Sequence, residues 1–479
     1  FYNAKMIQQR YKTVSILLKQ HNQQQLLTFW DELDKSSREK LLCQIEELDF
    51  ESLDEKISLY VKSSVPTELP TDIKPAPVYP ALPKTAEHKA KYIKAKQLGV
   101  ELLSKGKVAA FVVAGGQGTR LGFDGPKGDF AISPVKNKTL FQLFAETIKA
   151  AGEKYGFEPR WYIMTSPLNH EQTRRIFKDN NFYGLKERDV FIFQQGTEVN
   201  FSSEGKVLLE AKDTLATSPD GHGGSLKALC KNGAITDMKT HGIEHISYFQ
   251  VDNPLINIFN PMFVGLHAMD KAEMSSMAVI KSGPFEKVGN FCLVDDRVTV
   301  IEYSDLPDEL AEKKNSDGSL VFSLGSIAIH IIDRSFVEHL NAKGFALPYH
   351  RAVKKIPYID LQSGKKIEPQ KPNGIKLETF VFDALPLAKK SIIFEAIRSE
   401  EFAPVKNKTG ADSSQVARQM MIDRAASWLE RAGVKIPRKS DGSPDCKIEI
   451  APSFAICRED IPAKKLKIKI EPGQSVYLS

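Results

Sequence analysis

Cysteine is scarce in this sequence, and the cysteines that are present lie far apart. Five occur in 479 residues, at positions 43, 230, 292, 446 and 457, and no Cys-x-x-Cys pair is present. Disulfide frameworks and zinc sites need paired or closely spaced cysteines. We therefore expect neither of them, and we expect a cytoplasmic protein in which each cysteine is a small core residue.

The sequence also lacks long apolar runs and a strong excess of one charge. No uninterrupted apolar window reaches the ~18 residues of a membrane-spanning helix, and the first residues, FYNAKMIQQRYK, contain no apolar signal region. The net charge of +6 is small for this length, and basic residues cluster only in PAKKLKIKI. These features argue against a membrane or a nucleic acid as a partner.

The first 85 residues predict helices followed by an extended connector. Apolar residues in 1–64 recur at three- and four-residue spacing, as in Leu41, Leu42 and Ile45, and the stretch Asp34-Lys-Ser-Ser37 supplies a helix start. Six prolines lie between residues 65 and 84, a density that excludes a helix. We expect a helical N-terminal domain plus a proline-rich connector over residues 1–85.

From residue 86 onward, short apolar runs alternate with helical patterns. The runs are AAFVVAGG, RWYIMTS, DVFIFQQG and HISYFQVDN, with candidate helices such as TLFQLFAETIKAAGEKYG between them. This alternation predicts an α/β fold with a Rossmann-like, mixed and mostly parallel sheet. Each run ends in small or polar residues, and ligands of such sheets bind at the carboxyl ends of the strands. These four ends are therefore candidate walls of one site.

The last segment predicts one helix and a small β-containing domain. SQVARQMMIDRAASWLERAG has helical spacing, and apolar residues alternate with polar ones over Cys446–Ile450 and Leu466–Ile470, which predicts two half-buried strands. We expect a catalytic domain over residues 86–405 and a C-terminal domain over residues 406–479.

One glycine-rich loop carries most of the chemical information. AGGQGTRLGFDGPKG, Ala114–Gly128, contains six glycines and directly follows the apolar run VAAFVV. Glycines let backbone N–H groups approach an anion, and a helix N-terminus adds positive potential. The loop matches neither GxxxxGK[ST] nor GxGxxG, because Gly116, Gly118 and Gly122 are spaced GxGxxxG. It predicts a phosphate site, and it disfavours a P-loop ATPase or a nicotinamide enzyme.

The loop resembles the signature of nucleoside-diphosphate-sugar pyrophosphorylases, which is GG, then TR(L/M), then PK(G/A). Here those elements are Gly115-Gly116, Thr119-Arg120-Leu121 and Pro126-Lys127-Gly128. Further segments, from QQGTEVNF and QVDNPL to EEFAPVKN, resemble the eukaryotic-type UDP-N-acetylhexosamine pyrophosphorylases over nearly the whole chain. The resemblance implies a glycosyltransferase-A-like nucleotidyltransferase fold and two substrates, UTP and a sugar 1-phosphate. It also implies Mg²⁺ as the cofactor, with Mn²⁺ as the alternative ion.

The resemblance implies a role for each matching residue. Cationic catalytic side chains would be Arg120, Lys127 and Lys406, and the metal ligand would be Asp252. Contacts to the nucleotide would come from Ala114, Gly115, Gly116, Gln117, Gly118, Gln195 and Gly221. Contacts to the sugar would come from His222, Gly289, Glu302, Ser326, Phe380 and Phe382.

Two positions depart from the hexosamine pattern and leave the sugar open. His222 stands where the animal enzymes usually have Asn, and the UDP-glucose branch favours His there; Ser326 also stands where Asn is usual. One alternative is a UDP-glucose or broad-specificity UDP-sugar pyrophosphorylase, which Phe380 and Phe382 oppose. Another is a nucleotide-sugar-binding regulator without turnover, which the retained lysines oppose. We expect a monomer or a weak homo-oligomer.

The implied reaction needs neutralisation of negative charge rather than a general base. A sugar-phosphate oxygen, already an anion, attacks the α-phosphorus of UTP, and pyrophosphate leaves. Because the two substrates repel each other, positioning and positive charge should supply the catalysis. Arg120 would make a forked contact with the leaving pyrophosphate, Lys127 would lie beside the α-phosphate, and Lys406 would pair with the sugar phosphate.

Overall fold

A computed structural model describes residues 2–63, 70, 72–461 and 466–479 of the chain. Parts of two predicted segments lie outside the described residues, namely 65–69 and 71 of the proline-rich connector and 462–465 of the basic stretch. The chain divides into two compact units. Unit 1 comprises Phe1–Leu69, Gly196–Gly224 and Leu347–Val381, and unit 2 comprises Pro70–Gln195, Ser225–Ala346 and Phe382–Ser479. The domain boundaries expected after residues 85 and 405 stay a prediction.

Polar caps define where several helices begin. The Asp34 carboxylate accepts a hydrogen bond from Ser37 N at 2.8 Å, as the sequence predicts, and Thr85, Thr139 and Ser413 cap three later helices in the same way. The α-helices are α1 Tyr2–Gln20, α2 Lys35–Glu46, α3 Phe50–Lys56, α4 Ala86–Ser104, α5 Leu140–Tyr155, α6 His170–Asp179, α7 Gly224–Lys231, α8 Ala234–Thr240, α9 Pro261–Met269, α10 Asp308–Ala311, α11 Arg334–Asn341, α12 Arg398–Glu401 and α13 Ser414–Arg431. Within the described residues, no helix has both the length and the apolar character needed to cross a bilayer.

The strands are short, and most of them are rich in β-branched and aromatic residues. They are β1 Ile73–Pro75, β2 Val108–Val113, β3 Trp161–Thr165, β4 Val190–Gln194, β5 Thr197–Val199, β6 Leu209–Ala211, β7 Thr214–Leu215, β8 Thr217–Pro219, β9 His245–Gln250, β10 Met274–Ile280, β11 Asn290–Val294, β12 Arg297–Ile301, β13 Leu324–Asp333, β14 His350–Lys354, β15 Tyr358–Ile359, β16 Lys366–Ile367, β17 Gly374–Glu378, β18 Ser391–Glu395, β19 Lys447–Ile450 and β20 Ser475–Leu478.

Unit 1 combines the N-terminal helices with small antiparallel strand pairs. The pairs are β5–β8, β6–β7, β14–β17 and β15–β16. Leu41, Leu42 and Ile45 of α2 are fully buried and belong to one apolar cluster with Phe201 and Leu377. The periodic apolar residues of the first segment therefore form a core together with strands that lie far away in the sequence.

Unit 2 contains the large mixed sheet that the sequence predicts, with strand order β1-β11-β13-β9-β2-β3-β4 along its main path. β9, β2, β3 and β4 pair in parallel, and the four apolar runs noted in the sequence are these four strands. β2 and β3 are buried along their whole length, because helices and loops cover both faces of the sheet. The α/β class and the mixed central sheet are confirmed.

Most strand pairs in the other half of the sheet are antiparallel. β13 pairs antiparallel with β9, β10 and β11, while β18 adds to β10 in parallel. A bulge in the β10–β13 ladder coincides with Ala328, whose φ of +54° is unusual for a residue with a side chain. Since β13 runs opposite to β9, its first residues lie towards the edge of the sheet at which β9 ends.

One predicted strand is wrong. Leu466–Ile470 forms no strand; β19 pairs in parallel with β20, Ser475–Leu478, instead. Ile470 is nonetheless buried in the cluster that contains Ile448. The alternating apolar residues therefore mark a face that packs against the core. A strand also needs a hydrogen-bonded neighbour, and β19 finds its neighbour in the residues after the Pro-Gly turn instead.

Two glycines let α4 and α9 approach each other closely in unit 2. A Cβ atom added at Gly99 would lie 1.8 Å from Pro261 O, and one added at Gly265 would lie 1.7 Å from Ala95 O. The obstructing atoms belong to the backbone, so they cannot rotate away as a side chain would. The contact therefore depends on glycine at both positions.

Gly99→Ala and Gly265→Ala should each lower the free energy of unfolding by about 2 kcal/mol or more, because the added methyl group forces the helices apart. Urea denaturation followed by circular dichroism measures the change. Gly283→Ala is the matched control, since no atom lies within 4 Å of its added Cβ. If the three variants were equally stable, the close helix contact would be wrong.

Candidate active site

The carboxyl ends of four parallel strands form one row in unit 2. Beyond the ladders, Ala114 N donates to Met164 O at 2.7 Å, and Val251 N donates to Val113 O at 3.2 Å. Gln195 N continues the β3–β4 ladder with a 2.7 Å hydrogen bond. These bonds bring the start of the glycine-rich loop, the predicted base-reading glutamine and the VDN segment to the same edge of the sheet, as expected for an α/β site.

The glycine-rich loop folds back onto itself. Lys127 N donates to Gly116 O at 3.0 Å, and Gly118 N donates to Gly125 O at 2.9 Å. A Cβ at Gly118 would lie 2.6 Å from the Phe123 ring, so the absence of a side chain allows this tight return. Because of this closure, the lysine of the PKG element lies beside the GG element in space, although the two elements are separated along the chain.

The cations of the loop differ in exposure. Arg120 is exposed on a single 3₁₀ turn, whereas Lys127 is half-buried, with its Cε 3.9 Å from a Cβ added at Gly116. A third cation, Lys408, approaches the tip of the loop, with its Nζ 3.6 Å from a Cβ added at Gly122. Lys408 is not among the predicted site residues, although it lies two residues after Lys406.

A buried amide, also missed, holds the loop to β3. Asn169 Nδ2 donates to the carbonyls of Ala114 and Gly116, at 3.0 and 3.4 Å, while its Oδ1 accepts from Ser166 N at 2.9 Å. Asn169 is fully buried. The only signal in the sequence is the polar end of the RWYIMTS run, because the partners of this amide are distant in the chain.

Gln195 lies directly against the loop. It is 9% exposed, and a Cβ added at Gly115 would lie 3.0 Å from its Oε1. The glycine therefore leaves room for the glutamine amide beside the loop backbone. This placement is compatible with the predicted contact to a base, which stays a prediction.

The predicted metal ligand and the predicted sugar-phosphate lysine are neighbours. Val405 N donates to Asp252 O at 2.8 Å, so Lys406 follows immediately after a residue bonded to the VDN segment. Both side chains are half-buried. Their separation in the sequence is more than 150 residues, and only the tertiary structure brings them together.

Three of the predicted sugar residues also form one group in unit 2. Ser326 N donates to Gly289 O at 2.8 Å, and a Cβ added at Gly289 would lie 3.8 Å from Ser326 Cβ and 3.9 Å from Glu302 Oε1. Ser326 belongs to the start of β13, opposite Ala278 of β10.

A buried lysine supports this group. Lys281 is 6% exposed, and its Nζ donates to Asn290 Oδ1 at 2.6 Å and to Pro284 O at 3.3 Å. Asn290 Nδ2 in turn donates to Ile301 O at 3.2 Å. Burial lowers the pKa of Lys281. The chain of bonds joins the residues that follow Gly289 to the residue that precedes Glu302, which fixes the distance between these two.

Gly221, His222 and Phe380 lie in unit 1, and they form a compact group there. The His222 ring stacks on the Phe380 ring with centroids 5.2 Å apart, and its Nδ1 accepts from Val381 N at 3.1 Å. Gly221 has a φ of +84°, and a Cβ there would lie 2.3 Å from Thr379 O. His222 therefore orients the phenylalanine segment, and its predicted contact to the sugar stays a prediction.

Phe382, the second predicted phenylalanine, belongs to unit 2 and is 8% exposed. The site residues thus form three local groups: the loop with Gln195, Asp252 and Lys406; Gly289 with Glu302 and Ser326; and Gly221 with His222 and Phe380. The ligand roles assigned to them stay predictions.

One cluster of metal-capable side chains occurs among the described residues, and it excludes Asp252. His245, His267 and Asp333 bring ligand atoms within 4.8 Å of one another. They lie where β9 begins, which is the edge opposite the row described above. Burial disfavours the charge of Asp333, but hydrogen bonds from both histidines, at 2.7 and 2.9 Å, lower the pKa of its carboxyl to about 2. The cluster is a hydrogen-bonded tie between β9, α9 and β13.

Comparison with known proteins decides the family. Residues 70–453 match the model of the UTP–glucose-1-phosphate uridylyltransferase family. The chain belongs to this family. It is 37% identical over 438 residues to UDP-N-acetylhexosamine pyrophosphorylase-like protein 1 of Xenopus tropicalis, covering 88% of this chain and 85% of that protein.

One further relative supports the family assignment, and one solved structure shares the fold. UDP-N-acetylglucosamine pyrophosphorylase of Saccharomyces cerevisiae is 34% identical over 465 residues, covering 93% of this chain and 95% of that protein. The crystal structure of the Trypanosoma brucei enzyme of that name, in complex with an inhibitor, has the same fold, with a TM-score of 0.80 at 24% identity over 98% of both chains. The family inferred from the sequence resemblance is confirmed.

His222 should make unit 1 sensitive to acid. Burial lowers its pKa from 6.5 to about 4, against the effect of Glu378 and together with that of His350. Between these values the folded chain binds fewer protons than the unfolded chain, so stability should fall by about 2–3 kcal/mol as the pH drops from 6.5 to 4. His222→Gln keeps an acceptor for Val381 N and should remove this part of the pH dependence.

Urea denaturation at pH 7 and pH 4.5 measures this effect. His339→Gln is the matched control, because His339 is exposed. An identical loss of stability at pH 4.5 in wild type, His222→Gln and His339→Gln would contradict the assignment.

Proposed function

We propose that this chain is a UDP-N-acetylglucosamine pyrophosphorylase, which joins UTP and N-acetylglucosamine 1-phosphate to give UDP-N-acetylglucosamine and pyrophosphate. The observation that carries the proposal is the convergence of the glycine-rich loop, Gln195, Asp252 and Lys406 along one edge of the sheet in unit 2. The names of its relatives from frog and yeast support the same reaction.

The cysteine usage supports a cytoplasmic location, and we propose a monomer or weak homo-oligomer.

The residues at this edge can neutralise two polyanions. In the proposed arrangement the backbone of Gly115–Gly118 holds the triphosphate, and exposed Arg120 binds the leaving pyrophosphate through its forked guanidinium. Half-buried Lys127, fixed beside Gly116, lies at the α-phosphorus. Lys406 holds the sugar phosphate, so that its oxygen approaches the phosphorus opposite the leaving group. No side chain needs to remove a proton, because the nucleophile is already an anion.

The residues around Asp252 fit Mg²⁺, with Mn²⁺ as the alternative ion. Among the described residues, Asp252 belongs to no cluster of three metal-capable side chains, so the protein forms no closed cage of ligands around it. Mg²⁺ is typically held in this way, by one or two carboxylates, water and substrate phosphates. When bound, the ion would supply positive charge that offsets the charge of the phosphate groups. Asp252 would orient it, since its backbone is tied to Val405.

The identity of the sugar rests on the two smaller groups. In unit 2, Gly289, Glu302 and Ser326 adjoin one another and would contact the sugar ring. In unit 1, His222 stacks on Phe380, which supports its role in placing the predicted wall for the acyl group, rather than a switch to glucose. The histidine at position 222, which is usual in the UDP-glucose branch, favours a second candidate, a UDP-glucose or broad-specificity UDP-sugar pyrophosphorylase.

Pyrophosphate release separates these functions. The purified protein, with UTP and Mg²⁺, should release pyrophosphate with N-acetylglucosamine 1-phosphate at a higher kcat/KM than with glucose 1-phosphate, and chelation of the metal should stop the release. A preference for glucose 1-phosphate would favour the second candidate. If no sugar 1-phosphate supported release, the chain would instead be a nucleotide-sugar-binding regulator.

Replacement of the loop lysine tests the charge argument. Lys127→Ala should lower kcat by roughly 10²–10³-fold with a native circular dichroism spectrum, because a preorganised charge at the reacting phosphorus is lost. Arg120→Ala and Asp252→Asn should each reduce turnover in the same direction. Lys149→Ala, which changes a lysine of α5 instead, is the control and should retain wild-type turnover. Wild-type kcat in Lys127→Ala would contradict the assigned role of this lysine.

A further inference from the structure

The segments that carry Asp252 and Lys406 are joined through the side chain of Asn253. Its Nδ2 donates to Glu401 O at 2.6 Å, and its Oδ1 accepts from Ala403 N at 3.0 Å. Asn253 is 3% exposed, so these bonds are made away from water. The side-chain amide of Asn253 therefore makes hydrogen bonds to both a backbone carbonyl and a backbone N–H of the segment that leads into Lys406.

Glu401 makes the reciprocal connection. Its Oε2 accepts from Asn257 N at 3.0 Å, and its Oε1 accepts from Asn260 Nδ2 at 3.4 Å. Asn260 in turn caps α9 through Met262 N at 3.0 Å. The backbone carbonyl of Glu401 thus accepts from Asn253, and its carboxylate accepts from Asn257 and Asn260.

The chain keeps an acidic group here at a cost. Glu401 is 8% exposed, and burial raises the pKa of its carboxyl to about 7, although Arg424 nearby favours the charged form and Glu400 opposes it. Arg424 donates hydrogen bonds to the backbone carbonyls of Leu255 and Glu400. A buried carboxyl destabilises a fold relative to an apolar side chain of similar size unless its bonds serve a specific arrangement.

We propose that Asn253 and Glu401, which we call the clamp, are positioning residues that set Asp252 relative to Lys406 for uridylyl transfer. The inference rests on the proposed function and adds two residues that contact neither substrate in it. Asp252 would orient the metal and Lys406 the sugar phosphate, so the distance between their segments sets the approach of the nucleophile. A displacement of about 1 Å at such a site costs on the order of 10²-fold in rate.

Variants at position 401 separate positioning from simple stability. Glu401→Leu removes both side-chain bonds, whereas Glu401→Gln keeps an acceptor for Asn257 N and a similar shape. Glu400→Gln is the matched control, because Glu400 precedes it on α12 but accepts from Trp428 Nε1 at 2.8 Å and not from the 253–260 segment. Each is assayed well below its unfolding temperature, with UTP, N-acetylglucosamine 1-phosphate and varied Mg²⁺.

We expect Glu401→Leu to lower kcat/KM by about 10- to 100-fold and to raise the half-saturating Mg²⁺ concentration. Glu401→Gln should recover to within about threefold of wild type, since its amide oxygen still accepts from Asn257 N, and Glu400→Gln should match wild type, since it retains every clamp bond. If the folded fraction of Glu401→Leu kept wild-type kcat/KM and Mg²⁺ dependence, the clamp would be merely structural and the proposal would be overturned.

Hydrogen exchange distinguishes failure of the clamp from failure of the proposed function. The amides of Asn257, Ala403 and Val405 should exchange at least about tenfold faster in Glu401→Leu than in Glu400→Gln, because local opening becomes easier. This readout needs no activity, so it still decides whether the bonds join the two segments if the wild-type protein releases no pyrophosphate. Unchanged exchange at all three amides would overturn the clamp regardless of the reaction.

Discussion

The parallel register of β9, β2, β3 and β4 is the constraint on which the candidate site depends. Each strand ends at the same edge because Val113 pairs with both Gln250 and Met164, and Thr165 pairs with Gln194. Four loops therefore leave the sheet side by side, although they are spread over some 140 residues of sequence. A slip of one residue in any ladder would turn the buried side chains of that strand to the wrong face, so the core that stabilises unit 2 also aligns its candidate ligand groups.

A second layer of buried polar groups refines this alignment. Asn169 ties the glycine-rich loop to β3, Asn253 and Glu401 tie the VDN segment to the one before Lys406, and Lys281 ties the loop around Gly289 to β12 through Asn290. Buried polar groups destabilise a fold unless their hydrogen bonds are made, so these side chains specify one arrangement of otherwise irregular segments.

Much of the fold and part of the site could be predicted from the sequence, because they depend on local patterns. Asp34 caps α2 as expected, the four apolar runs are strands, and the GG, TRL and PKG elements lie in one folded loop. Predictions that needed distant partners succeeded less often. Leu466–Ile470 has the alternating pattern of a strand but forms no β-ladder. Residues 196–224 and 347–381 belong to one unit with the N-terminal helices, and no sequence pattern predicted this grouping. Asn169 and Lys408 were missed for the same reason.

By itself, the sequence predicted a phosphate site at the glycine-rich loop, since glycines let backbone N–H groups approach an anion and the arginine and lysine of the loop carry positive charge. It also determined the family, which the comparisons confirm. Only the tertiary structure decided which distant groups become neighbours: Lys406 with Asp252, Ser326 and Glu302 with Gly289, and His222 with Phe380. The physical reason is that such pairs are set by strand register and by buried hydrogen bonds between segments, and neither leaves a periodic pattern in the chain.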